Sequence, residues 1–179
     1  MIYAFLADGF EEIEAVTPID LLRRAGKTVV TVGIGGKVIA GSHNIPVTAD
    51  ITDSQLSLGD DVEMIILPGG MPGTLNLEKN ESVQKAIDFC SCNNRYIAAI
   101  CAAPSILGHK GLLKNKNAVC YPGFVSQLDG ADISTKPVVA DGKIITSRGA
   151  GAAVKFGLKL VEILVSPEAS NKLADSIIC

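Results

Sequence analysis

The stretch RYIAAICAAPSILG, residues 95–108, carries the pattern that decides the fold. Its apolar run, 95–100, lacks polar alternation and predicts a buried strand, and the small residues and proline after it predict a helix over 103–113. Cys101 therefore lies on a strand-to-helix turn. There a thiolate meets free backbone N–H groups and the positive end of the helix dipole, which lowers its pKa. The other interpretation, an inert buried cysteine, stays open on position alone.

Outward from this stretch, short apolar runs alternate with helical patterns along the chain. Strands are predicted at 2–7, 28–34, 62–70 and 95–100, with two more about an Asp-Gly turn within 136–149 and a hairpin over 37–50. Helices are predicted at 11–26, where Pro18 bends the helix and Gly26 ends it, and at 81–90, 103–113, 152–165 and after Pro167. This order predicts one α/β domain over 1–179, with a mostly parallel sheet covered by helices on both faces.

Composition excludes several classes of function. The net charge of −3 and the absence of a Lys/Arg tract argue against nucleic acid or an anionic membrane as partner. The apolar start of the chain is too short for a signal peptide or a membrane span. The five cysteines form no CxxC pair and no zinc-type cluster, so we expect no disulfide framework, no metal and a cytoplasmic location.

Three turns are expected to meet at one edge of the sheet, because functional groups gather beyond the carboxyl ends of parallel strands. These are the Asp8-Gly9 turn, the segment LPGGMPG (67–73) and Cys101. In LPGGMPG, Gly69 and Gly70 let backbone N–H groups turn toward a ligand, as an oxyanion hole requires. An ordinary tight turn would use the same glycines.

The helix over 11–26 offers a carboxyl group for the same edge. Glu14 heads an apolar stripe along this helix and would be drawn inward, where burial favours the protonated form. Glu11 and Glu12 fit nearly the same stripe, so the periodicity does not choose among the three. Of the two histidines, His109 lies roughly 12 Å along a helix from Cys101, and His43 belongs to the hairpin. A self-contained Cys-His-acid hydrolase is therefore disfavoured.

Four segments together resemble the ThiJ/PfpI superfamily, and within it the branch of the Parkinson-associated deglycase. They are GFEEIEAVTPIDLLRRAG (9–26), ILPGGMPG (66–73), IAAICAAPSIL (97–107) and ITSRGAG (145–151), in family order. The resemblance implies a flavodoxin-like three-layer α/β sandwich of the class I glutamine amidotransferase type. It also implies a homodimer that works without a cofactor.

The resemblance assigns roles to particular residues. It implies that Cys101 is the reactive, easily oxidised cysteine, and it selects Glu14 as the protonated carboxyl that bonds the thiolate. The backbone N–H groups of Gly70 and Ala102 would match the family's oxyanion-binding groups. Two further residues, Arg24 and Ser147, fall at family positions near the pocket or the dimer contact.

The chain departs from the family pattern at two positions. Tyr121 stands before Pro122 where close relatives carry a histidine, and a phenol with an ordinary pKa near 10 is a poor base at neutral pH. His43 stands where relatives tend to carry an arginine that leans across the dimer interface. One hypothesis is that His43 of a second copy replaces the missing imidazole.

The function implied by the resemblance is a glyoxalase-III-like or deglycase activity on methylglyoxal and related reactive carbonyls. The alternative is a non-enzymatic redox sensor or chaperone, in which Cys101 is oxidised to the sulfinate. A cysteine peptidase is less favoured, because Ala102 follows Cys101 where the peptidase branch carries a histidine. Nothing in the sequence supports a thiazole phosphate substrate.

Overall fold

A computed structural model describes the whole chain, Met1 to Cys179, as eleven strands and six α-helices. The strands are β1 (Ile2–Leu6), β2 (Val29–Gly33), β3 (Val38–Ala40), β4 (Pro46–Thr48), β5 (Ile51–Thr52), β6 (Met64–Leu67), β7 (Tyr96–Ile100), β8 (Asn117–Ala118), β9 (Asp132–Ile133), β10 (Val138–Asp141) and β11 (Ile144–Ser147). The helices are α1 (Glu12–Arg24), α2 (Gly73–Lys79), α3 (Glu81–Cys92), α4 (Pro104–His109), α5 (Ala153–Leu164) and α6 (Pro167–Ser176). No helix is both long and apolar enough to cross a membrane.

Seven strands form the central sheet, in the order β10-β11-β7-β6-β1-β2-β5. Every neighbouring pair is parallel except β10 and β11, which form an antiparallel pair about the predicted Asp-Gly turn. Strands β3 and β4 form the predicted hairpin outside this sheet. The mostly parallel sheet expected from the uninterrupted apolar runs is confirmed.

Both faces of the sheet are buried under helices. Along β1, Phe5 contributes to one hydrophobic cluster, and its neighbours Ala4 and Leu6 to the other, because successive side chains of a strand point to opposite faces. The Phe5 cluster continues into α3 and α4, and the other cluster continues into α1 and α5. The molecule is therefore a three-layer α/β sandwich, consistent with the flavodoxin-like prediction.

Several element boundaries differ from the sequence-based prediction. Helix α1 runs through Pro18 and ends at Arg24, with Gly26 just beyond it in the left-handed region at φ +79°. Helix α4 ends at His109 rather than at 113, because Gly111 turns the chain at φ +69°. Strand β6 ends at Leu67, which leaves Pro68 and the two glycines as loop. The short helix α2 and the strands β5, β8 and β9 are additional to the prediction.

Candidate active site

Cys101 lies on the predicted strand-to-helix turn between β7 and α4. Its φ is +64°, a left-handed conformation that costs a non-glycine residue roughly 1–3 kcal/mol. Its N–H donates to the carbonyl of Ser147 at 2.8 Å, and its carbonyl accepts from the N–H of Tyr121 at 2.8 Å. The ends of two other segments therefore hold the turn in this conformation and hold the thiol at the carboxyl edge of the sheet.

Glu14, in the first turn of α1, is the carboxyl group that meets this thiol. It is only 1% exposed, its Oε2 accepts the N–H of Gly69 at 3.0 Å, and it shares a hydrogen bond with Cys101. Burial raises the pKa of Glu14 to about 7, and the charge of Glu11 adds to the rise. The hydrogen bonds from Cys101 and from the backbone oppose it. Glu14 thus titrates near neutral pH.

The pKa of Cys101 does not follow from its position alone. Burial raises it to about 12 beside an ionised Glu14, whose charge and hydrogen bond add to the rise. The N–H groups of Ala102 and Gly70 lower it but do not outweigh burial. The lowered pKa predicted from the helix start is therefore wrong, and burial is the largest cause.

Cys101 and Glu14 are close enough to titrate as one pair. The pair loses its first proton near neutral pH and holds the second proton into the alkaline range. When that second proton sits on Glu14, the two contributions of the carboxylate to the pKa of Cys101 disappear. Burial still opposes the charge of Cys101, so a thiolate beside a neutral carboxylic acid is the minor form of the site, assisted by the N–H groups of Ala102 and Gly70.

The two glycines of the LPGG turn do different things. A Cβ on Gly69 would lie 2.6 Å from Glu14 Oε2 and 2.7 Å from the Cβ of Cys101, so the position has room for glycine only. Its N–H binds Glu14, which corrects the prediction that Gly69 supplies an oxyanion donor. Gly70, at φ +90°, directs its N–H to Cys101 together with Ala102. Only Gly70 and Ala102 fit the predicted donor pair.

Gly149, which was not among the predicted site residues, lies beside Cys101 and Glu14. A Cβ on it would lie 3.9 Å from both Cys101 Sγ and Glu14 Oε1 and 3.7 Å from the ring of Tyr121. Tyr121 is 52% exposed, and its hydroxyl has no hydrogen-bond partner within the chain. The phenol therefore borders the site from the solvent side. The position of Gly149 within the motif ITSRGAG is the one sequence signal that could have indicated this role.

Three other predicted residues do not bring their side chains to the thiol within this chain. His43 Nδ1 lies 3.0 Å from Glu12 Oε2, and the His43 N–H donates to Glu12 Oε1 at 2.8 Å. The Nε of Arg24 pairs with Asp20 at 2.7 Å on the exposed face of α1. The Ser147 hydroxyl donates to Pro137, so Ser147 serves the site through its carbonyl alone.

Glu12 and His43 shift each other's pKa. Burial opposes the ionisation of Glu12, yet hydrogen bonds from His43, Ser42 and its own backbone hold its pKa at about 2. The hydrogen bond and charge of Glu12 raise the pKa of His43. Together with Glu11 these side chains place ligand-type atoms within 4.8 Å of one another, and the ion pair accounts for that cluster.

The arrangement combines a thiol, a carboxyl that titrates near neutral pH, and two N–H donors facing the same point. This set suits the addition of a thiolate to a carbonyl carbon, with a proton donor and an oxyanion site at hand. The DJ-1/PfpI family model matches residues 1–163 of the chain. The chain belongs to this family.

Individual relatives extend the match to nearly the full chain. Protein dj-1beta of Drosophila melanogaster is 34% identical over 176 residues, which cover 97% of this chain and 94% of the relative. The glutathione-independent glyoxalase DJ-1 of Schizosaccharomyces pombe is 31% identical over 183 residues, covering 97% of this chain and 95% of the relative. The solved structure of oxidised Toxoplasma gondii DJ-1 is 34% identical and superposes with a TM-score of 0.94, covering 99% of this chain and 97% of that one.

Proposed function

We propose that this protein is a cofactor-independent glyoxalase that converts methylglyoxal and related reactive carbonyls to α-hydroxy acids, and that its deglycase activity on their adducts uses the same residues. One observation carries the proposal: the buried Glu14 carboxyl shares a hydrogen bond with the Cys101 thiol, and burial raises its pKa to about 7. A group that titrates near the working pH serves well as both proton acceptor and proton donor. The relative from Schizosaccharomyces pombe, named a glutathione-independent glyoxalase, supports this choice among the family's activities.

The proposed reaction begins from the thiolate and the protonated Glu14. Cys101 Sγ attacks the aldehyde carbon, a C–S bond forms, and Glu14 gives its proton to the aldehyde oxygen. The N–H groups of Gly70 and Ala102 stabilise the negative charge that develops on that oxygen. Each of these groups already contacts the thiol in the folded chain.

Glu14, now a carboxylate, then removes the proton from the former aldehyde carbon and returns it to the neighbouring carbon, while the proton on the former aldehyde oxygen passes to the ketone oxygen. This shift converts the hemithioacetal into a thioester of lactate. Water cleaves the thioester, which releases lactate and restores the thiol. Since Tyr121 offers no imidazole, Glu14 does all the proton transfer, and the loss of one such group typically slows an enzyme by roughly 10²–10⁴-fold. We therefore expect a slow enzyme.

The proposal includes a homodimer of single-domain protomers in the cytoplasm. Helix α1 exposes Ile13 and Val16, and the hairpin exposes Ile45, each about half accessible to solvent. Ser42 and His43 of the hairpin bond Glu12 of α1, so these apolar side chains belong to adjoining elements. A second copy of the chain would cover them. All five cysteines are free thiols.

A redox-sensing or chaperone role is the second candidate. The structure of the Toxoplasma gondii relative is of an oxidised form. In this chain, the N–H groups of Gly70 and Ala102 and the Glu14 carboxyl are placed to bond the oxygens of a sulfinate on Cys101. A stable gain of two oxygen atoms on Cys101 alone after mild peroxide treatment, measured by peptide mass, is the expected result for a sensor.

The test of the enzyme is lactate formation from methylglyoxal without glutathione. Wild type and Cys92→Ser, which alters an exposed cysteine outside the site, should form lactate. Cys101→Ser and Glu14→Gln should form roughly 10²-fold less or none. No lactate from clean wild-type protein would overturn the proposal and move the redox role to first place, provided that Cys101 is still readily alkylated.

A further inference from the structure

A cavity of about 330 Å³ adjoins the site of Cys101 and Glu14. The residues that line it are Pro137, Arg148, Gly149, Gly151, Ala152 and Lys155. Gly149 belongs to both spaces, because a Cβ on it would lie 3.9 Å from Cys101 Sγ. The cavity and the thiol site therefore have Gly149 in common.

The cavity carries positive charge that no acidic group neutralises. Neither the Arg148 guanidinium nor the Lys155 amine makes an ion pair or a hydrogen bond within the chain. Near the thiol, the start of α1 brings three acidic residues, the N-cap Glu11 with Glu12 and Glu14. The chain as a whole has a net charge of −3, so the cationic cavity is a local feature of this face.

We infer that this cavity binds a carboxylate or phosphate group carried by the carbonyl substrate, with Arg148 and Lys155 as the residues that set specificity. The inference deepens the proposed function by naming the substrate class: anionic α-oxoaldehydes in preference to neutral ones such as methylglyoxal. The anionic end of the substrate faces Arg148, which leaves the aldehyde carbon at Cys101.

The first test needs no turnover. Iodoacetate and iodoacetamide form the same C–S bond to a thiolate with loss of iodide, but only iodoacetate is anionic. The ratio of their rate constants at Cys101, followed by peptide mass, reports the field at the thiol. We expect this ratio to fall roughly tenfold in the double variant Arg148→Met/Lys155→Met, and to fall in wild type as salt is added.

Control variants and reference rates distinguish a loss of charge from damage to the site. Arg148→Lys keeps the charge and should keep the ratio, whereas Lys172→Met removes one charge from α6, which does not line the cavity, and should leave the ratio unchanged. Exposed Cys92 provides an internal reference in every protein. An iodoacetamide rate equal to wild type verifies that the site is intact. An unchanged ratio in the double variant, or an equal fall in Lys172→Met, would overturn the inference.

A second measurement distinguishes the two anions and separates this inference from the proposed function. Glycolaldehyde, glyoxylate and glycolaldehyde phosphate each offer one aldehyde, with no charge, a carboxylate or a phosphate. As reversible blockers of Cys101 alkylation, the anionic members should bind roughly tenfold more tightly than glycolaldehyde, and the tighter of the two identifies the group. Equal affinity for all three would refute the anion site while lactate formation stands. Absence of lactate with the charge preference intact would refute only the glyoxalase.

Discussion

Gly69 and Glu14 fit together so closely that Gly69 cannot carry a side chain. The N–H of Gly69 donates to Glu14 Oε2 at 3.0 Å, and a Cβ on Gly69 would lie 2.6 Å from that same oxygen. On its other side the Cβ would lie 2.7 Å from the Cβ of Cys101. One glycine thus allows the carboxyl and the thiol to meet.

Gly69→Ala should therefore lower the free energy of unfolding by about 1–3 kcal/mol, since buried atoms on two elements must move apart. It should also slow alkylation of Cys101, because the displaced Glu14 no longer shares its proton. The matched control is Gly36→Ala, where an added Cβ meets nothing within 4 Å, and its effect should stay within about 0.5 kcal/mol. Urea unfolding of both variants measures this, and equal effects would refute the steric argument.

Glu14 should make stability fall as the pH rises. Its pKa is raised from 4.5 to about 7 in the folded chain, so folding favours the protonated form. That stability is complete below about pH 4.5 and is lost as the pH rises through about 7, a loss on the order of 3 kcal/mol. Glu14→Gln has no such titration and should lose less stability across this range. If the urea midpoints of wild type and Glu14→Gln changed equally with pH, this prediction would be wrong.

Cys101 and Glu14 should share the one proton that the pair keeps above neutral pH. In wild type, the rate of Cys101 alkylation by iodoacetamide should rise with a midpoint near neutral pH, well below the ordinary thiol value of 9.0. Glu14→Gln should move the midpoint upward, since an amide donates a weaker hydrogen bond to the thiolate and burial still opposes its charge. Cys92→Ser serves as the control. A midpoint unaffected by Glu14→Gln would show that the two groups do not share a proton.

Tyr121 should be the position where one substitution speeds the proposed reaction. Its ring lies beside Gly149, across from Cys101 and Glu14, and its hydroxyl has no partner within the chain. Tyr121→His places an imidazole, which titrates near neutral pH, at this border, and should raise kcat for methylglyoxal by about tenfold. Tyr121→Phe keeps the ring without the hydroxyl and should leave kcat near wild type. A lower kcat in both variants would assign the phenol itself a role.

The sheet could be predicted from the sequence because its central strands are buried on both faces. The runs at 2–7, 62–70 and 95–100 contain β1, β6 and β7, with errors only at the ends, where glycines and loop residues continue the apolar pattern. Helix α2 could not be predicted from the sequence, because its seven residues, GTLNLEK, are too few to show a helical period. Its existence depends on the tertiary contacts of its few apolar residues.

The site could be predicted only in part. The turn at Cys101 has a local signal, but the choice among three glutamates depends on tertiary burial. Glu14 faces Gly69 and is 1% exposed, whereas Glu12 is used by the hairpin. The pKa of Cys101 depends on that same neighbour, so its position at a helix start gave the wrong direction. No periodicity encodes which N–H of a Gly-Gly turn faces which atom.

The ion pair between His43 and Glu12 should respond to pH in a defined direction. The hydrogen bond and charge of Glu12 raise the pKa of His43 above 6.5, so the stability that the pair gives is complete below about pH 6.5 and is lost as the pH rises through the folded-state pKa. NMR titration of the imidazole should show this raised pKa in wild type and a lower one in Glu12→Gln, where the charge of Glu11 still raises it. His43→Ala should lower stability at acidic pH and change it little at alkaline pH. If His43 instead kept its wild-type pKa in Glu12→Gln, another acid would bind it, and Glu12 would not be the residue that attaches the hairpin to α1.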